Sequence, residues 1–135
     1  MFDQDHNVLP IAGLPDQLPE GAVHPILKTF FDYYKTERGY HERSINSTGA
    51  WDSRTPYAFF GFDLYRHLEF LGNRKILLTA GENSHSLYHS EAVLAAAPDN
   101  ARLLVVPGAD HADLYDKLDL IPLDDIAAFF EEELK

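Results

Sequence analysis

The chain has no cysteine. That excludes a disulfide framework, a thiolate nucleophile and a sulfur-ligated metal site, and it fits a reducing cytoplasm. Basic residues are scarce too: 11 Lys and Arg stand against 22 Asp and Glu, for a formal charge of -11. Phosphate backbones and anionic lipid surfaces need a basic face to neutralise them, so neither nucleic acid nor membrane is an expected partner. No apolar run nears the roughly 18 residues of a membrane span. The opening MFDQDHNVLPIAG has no basic region followed by an apolar stretch. These absences lead to the expectation of a cytoplasmic protein.

What remains is a globular composition. The 135 residues are 45% apolar and 13% aromatic, enough for a hydrophobic core and, by length, one domain over 1–135. Residues 1–22 carry Pro10, Pro15 and Pro19 with Gly13 and Gly21 and show no sustained periodicity, so they read as an irregular arm. A helical connecting segment is expected over 23–72. It opens with Ile26, Leu27, Phe30, Phe31 and Tyr34 on one helical stripe that Gly39 can end. The polar stretch 36–56 follows, with Trp51 its large apolar anchor. Thr55-Pro56 can start a short helix over Tyr57–Phe60, and an amphipathic stretch covers Phe62–Leu71.

Residues 73–135 carry the clearest organisation. Lys75–Ala80 (KILLTA), bounded by Gly72 and Gly81, reads as a buried strand; Ser90–Ala97 reads as a helix stopped by Pro98; Arg102–Val106 is a second buried strand. Strand, helix and strand in about thirty residues make a βαβ unit with parallel strands. A closing helix is expected over Leu120–Leu134, with Asp124 and Asp125 at the favourable end of its dipole.

Two loops leave the carboxyl ends of these strands, Gly81-Glu82-Asn83-Ser84-His85-Ser86 and Gly108-Ala109-Asp110-His111. Parallel neighbours put both loops on one sheet edge, where open α/β sheets collect their chemistry. A carboxylate on the first loop and an imidazole on the second make the acid–base half of a hydrolytic triad. His85 and His89 stand four apart near Glu82 and His111. Ser90 as helix cap would leave that pair partly in a loop, however, and there is no His-Glu-x-x-His, so no metal is expected.

In order and spacing the chain resembles the C-terminal part of an α/β hydrolase of the dienelactone-hydrolase-like and peptidase-like esterase branch. The residues are Tyr33-Tyr34, Arg38-Gly39-Tyr40-His41, Asn46-Ser47, Trp51, Thr55-Pro56, Ile76 to Glu82, His85-Ser86, Val106 to His111 and Asp113 to Asp116. The resemblance implies the C-terminal portion of an α/β-hydrolase fold, a small parallel βαβ sheet flanked by helices. It makes His111 the general base and Glu82 the acid. Many relatives carry the acid as an aspartate two residues further on, where this chain has Ser84. Asp110 and Asp113 lie on the histidine's own loop, a poor place from which to reach its ring. No cofactor is implied.

The family's nucleophile sits in G-x-S-x-G on a tight strand-to-helix turn. The sequence has no such pentapeptide: Gly81-Glu82-Asn83-Ser84-His85 lacks the closing glycine and Ile45-Asn46-Ser47-Thr48-Gly49 the opening one. Ser84 and Ser86 are the alternative nucleophiles near His111. The expectation is therefore a truncated or split serine hydrolase acting on a small ester-like substrate, its nucleophile supplied by a second chain. A catalytically inactive remnant serving as a binding or oligomerisation module is the alternative. Either way, the bare edge of the Lys75–Ala80 strand calls for a homodimer, a partner chain or residues 1–22 across it.

Overall fold

Helix α1 (Pro25–Tyr34) starts where the sequence can start one: the His24 side chain accepts the Ile26 N–H, and Pro25 needs no donor in the first turn. It ends at Lys35, four residues before Gly39. Gly39 serves a different purpose, because a Cβ there would lie 2.6 Å from the Tyr33 carbonyl oxygen. In the computed structural model, residues 10–44, 50–52 and 55–134 are described. Residues 1–9, Asn46 and Ser47, and the Trp51 side chain lie outside that set.

The chain forms two compact units, Met1–Asp63 and Leu64–Lys135, and the boundary falls inside the segment expected to be one connection. In the first unit a short strand, β1 (Pro10–Gly13), pairs antiparallel with β2 (Ala50–Asp52), and helix α2 spans Thr55–Phe59. The arm expected to be irregular thus contributes a strand, and so does the polar stretch 36–56.

The second unit holds the βαβ. Strand β3 (Ile76–Gly81) runs parallel to β4 (Ala101–Val106), in register from Ile76 opposite Ala101 to Gly81 opposite Val106. Helix α3 (Leu87–Ala96) connects them and packs on both. A four-residue helix, α4 (Asp113–Asp116), and a closing helix, α5 (Leu123–Glu133), complete the unit. Arg102 of β4 ties α5 down: its guanidinium donates to Glu132 at 2.6 and 2.9 Å and to Glu133 at 2.9 Å, and it lies over the Phe129 ring. The mixed architecture is a small α/β fold with a two-stranded parallel sheet.

The Phe62–Leu71 stretch does not make an amphipathic helix. Only one turn, Leu68–Leu71, is helical, and Phe62, Leu64 and Phe70 are exposed. The buried apolar side chains of the second unit are mostly small and lie at both ends of β4. They are Ala97, Ala101, Val106, Ala109 and Ala112, with Phe129 from α5. Ala109 and Ala112, on either side of His111, have no exposed surface.

Candidate functional site

The loop between β4 and α4 is built by a tight turn. Pro107 presets the first central position, and Gly108, at φ +69°, supplies the left-handed second one, with the Ala109 N–H closing back on the Val106 carbonyl at 3.4 Å. The β3–α3 loop then grips this turn. Glu82 Oε2 accepts the Gly108 N–H at 2.8 Å, Asn83 Nδ2 donates to the Gly108 carbonyl at 3.2 Å, and the Asn83 N–H donates to the Ala109 carbonyl at 2.9 Å. Gly81 permits the close approach, since a Cβ there would stand 2.4 Å from the Ala109 oxygen. Beyond the turn, Asp110 Oδ1 accepts the His111 N–H at 2.7 Å. The buried Asp113 takes the Asp110 N–H at 3.0 Å and pairs with Lys117 at 2.7 Å. Both loops are therefore braced before any side chain reaches the imidazole.

The ring of His111 is bonded on both nitrogens. Nδ1 lies 2.8 Å from Ser86 Oγ and 3.1 Å from Ser84 Oγ, and the two hydroxyls are 2.9 Å apart. Nε2 lies 2.9 Å from Tyr115 Oη. Ser84 is nine-tenths buried, so this small hydroxyl network sits in a medium where each bond is stronger than in water. The ring of His85 leans on that of His111 at a centroid distance of 4.7 Å. Burial pushes the His111 imidazole below its ordinary range, the neighbouring His85 adds to that, and Asp110 opposes it. These shifts favour the uncharged ring, the form that can take a proton. It faces a cavity of about 300 Å³ whose polar lining is Ser84, Ser86, Ser90, Thr79 and Tyr115, and whose apolar lining includes Leu114, Ile121 and Ile126.

Of the residues singled out in the sequence, the structure brings together His111, Ser84 and Ser86, and it places Glu82 elsewhere. The Glu82 carboxylate is bonded to the backbone of the neighbouring turn, while Nδ1, the nitrogen an orienting acid would take, meets two hydroxyls. Ser84 Oγ is one of the two. Asp110 and Asp113 accept backbone N–H groups, the use left to them by their place on the histidine's own loop. His89 turns to Tyr65, with Nδ1 2.8 Å from its hydroxyl. Among the described residues no three His, Asp or Glu gather to hold a metal ion, and no helix is long and apolar enough to cross a membrane. The sequence carried no clear signal for Tyr115: His111 precedes the four-residue helix α4, so their spacing of four does not mark a helical pair.

No family model matches the chain. It is similar to "Uncharacterized protein PA2218" of Pseudomonas aeruginosa, 47% identical over 115 residues, which is 85% of this chain and 31% of that protein. The crystal structure of that hypothetical protein superposes with a TM-score of 0.75 at 46% identity, covering 87% of this chain and 36% of the solved one. The chain thus shares its fold with part of a much longer protein and spans about a third of the length of the relative it matches.

Proposed function

We propose that this chain carries the general base of an acyl-bond hydrolase of the α/β-hydrolase kind, with His111 taking the proton of a serine nucleophile. The observation that supports this best is the His111 imidazole itself. Burial disfavours its charged form, both ring nitrogens are bonded, and it is set on a braced loop at the carboxyl end of a parallel strand beside a cavity. In this reading Nε2 is the working nitrogen, Tyr115 Oη marks the place the nucleophile takes, and the Nδ1 hydroxyls hold the ring in place of a carboxylate. A hydroxyl holds the imidazolium less strongly than an anion does, so catalysis is weaker than in a complete triad. The nucleophile and oxyanion donors come from a segment outside these residues, and the matched relative has ample length outside the shared part to hold one.

The test is complementation. The chain is mixed with the unmatched remainder of the Pseudomonas aeruginosa relative and assayed on p-nitrophenyl butyrate. Hydrolysis at least about 100-fold above the sum of the separate pieces, lost in His111→Gln, is expected. A mixture no faster than that sum rejects the reading.

A noncatalytic binding or oligomerisation module is favoured by a separate observation. Among the described residues β3 and β4 pair only with each other, and α3 has no fully buried residue. Phe70, Tyr88, Leu118, Leu123, Phe130 and Leu134 are exposed on the same unit. Parallel strands are ordinarily covered and flanked. A second copy or a partner chain on these surfaces is expected to appear as a dimer or complex by light scattering; a monomer at all concentrations would argue against it.

A further inference from the structure

We propose that Ser86 is itself a nucleophile, activated by Nδ1 of His111, so that this chain alone accepts an acyl or phosphonyl group. Three features carry it. The first is distance: Ser86 Oγ is 2.8 Å from Nδ1, closer than Ser84 Oγ at 3.1 Å.

The second is a hydroxyl diverted from its ordinary use. Ser86 holds the N-cap position of α3, where a serine side chain normally accepts a first-turn N–H, yet it makes no capping bond. Its hydroxyl goes to the imidazole instead. Ser86 also stands at the positive end of the α3 dipole, which favours the negative charge that develops on an attacked carbonyl or phosphoryl oxygen.

The third is a proton assignment that the hydrogen-bond chain allows. The Ser86 N–H meets Ser84 Oγ at 3.4 Å, Ser84 Oγ lies 2.9 Å from Ser86 Oγ, and Ser86 Oγ lies 2.8 Å from Nδ1. A consistent order has Ser84 donating to Ser86 and Ser86 donating to Nδ1. That order requires the ring proton on Nε2, where it is donated to Tyr115 Oη at 2.9 Å. Tyr115 then fixes the tautomer from the far side of the ring, the positioning role an acid fills in a triad. The nitrogens are used in the reverse sense from the proposed function. Nδ1 is the base here, and no nucleophile from outside is needed.

The chemistry balances with water as the only co-reactant. Ser86 Oγ bonds to the acyl carbon as its proton passes to Nδ1. The carbon–oxygen bond to the alcohol breaks, and the Nδ1 proton leaves with that alcohol. Water, deprotonated by Nδ1, then attacks the acyl carbon, and Ser86 departs with the proton. The substrate class is a small ester with an apolar acyl group, sized to the cavity that Ser86 shares with Leu114, Ile121 and Ile126.

The experiment uses the full chain and a fluorophosphonate probe, read by intact and peptide mass spectrometry. There Ser86 Oγ attacks phosphorus, fluoride leaves, and Nδ1 takes the proton. One adduct per chain on Ser86 is expected, absent in Ser86→Ala and slowed at least about 100-fold in His111→Gln. Nitrogen-15 NMR of the His111 ring is expected to show the proton on Nε2, and Tyr115→Phe to shift it toward Nδ1. An unlabelled wild-type chain, an adduct elsewhere, or an Nδ1–H ring in the free protein overturns the proposal. The complementation reading can outlive that result, because its adduct forms on a serine of the second polypeptide.

Discussion

Replacing Gly81 with alanine tests how the site is held, because one methyl group there strikes the loop that carries His111. The added Cβ would lie 2.4 Å from the Ala109 oxygen, 2.8 Å from its carbonyl carbon and 2.9 Å from the Asp110 oxygen. All three are backbone atoms, so no flexible side chain can yield. The carbonyl has to retreat by more than half an ångström to reach even a crowded contact. Ala109 is fully buried, and its oxygen already accepts the Asn83 N–H at 2.9 Å. Overpacking of this kind costs about 1–3 kcal/mol, and weakening the Asn83 bond adds about 1 kcal/mol, for a total of about 2–4 kcal/mol. Urea denaturation followed by far-ultraviolet circular dichroism measures the loss. The His111 amide resonance in a nitrogen–proton correlation spectrum shows the loop shifting. A variant within about 0.5 kcal/mol of wild type, with the His111 resonance unmoved, would refute the view that the two loops are locked through Gly81.

Further outcomes follow from the same contacts. The His111 ring should titrate below 6.5 by NMR, because burial and His85 both oppose its charge, and His85→Ala should raise the midpoint without restoring it fully. The folded state binds that proton less readily than the unfolded chain. The stability tied to His111 is therefore present above pH 6.5 and lost as the pH falls through 6.5 toward the folded value; His111→Gln should flatten this fall in pH-dependent denaturation. Glu82→Ala should cost about 0.5–1 kcal/mol through the exposed Gly108 bond, with Glu82→Gln recovering part of it. A glutamine that instead moves the His111 titration by a full unit would assign the carboxylate to the ring. Arg102→Met should lower stability at low salt more than at high salt, because it removes the Glu132 and Glu133 pairs yet keeps a stem over Phe129. Equal losses at both salt concentrations would show that the pairs contribute nothing.

The parts of the second unit that follow local rules were legible in the sequence. The runs at 76–81 and 101–106 are apolar and end at a glycine or at Pro107-Gly108, so both strands and the turn before His111 could be read to within a residue. Helix α3 begins about a turn before the start its sequence pattern indicates and ends within a residue of the expected stop. Ser90 has the look of a cap, while the true N-cap, Ser86, spends its hydroxyl on His111, a contact 25 residues away that no local pattern displays. Strands β1 and β2, four and three residues long, are too short to show alternation. Glu82 was assigned by resemblance to the ring. What it meets is the Gly108 N–H, a donor made available by a turn on the other loop, and only the paired strands bring the two together. The hydroxyl of Tyr115 escaped notice because α4, at four residues, carries no periodicity.

The measurement that bears most directly on the central claim is the pH dependence of p-nitrophenyl butyrate hydrolysis by the complemented protein, wild type against His111→Gln. If His111 is the base, the wild-type rate rises with pH through a midpoint below 6.5, and the variant loses at least about 100-fold. A variant as fast as wild type, or a profile indifferent to His111, would contradict it.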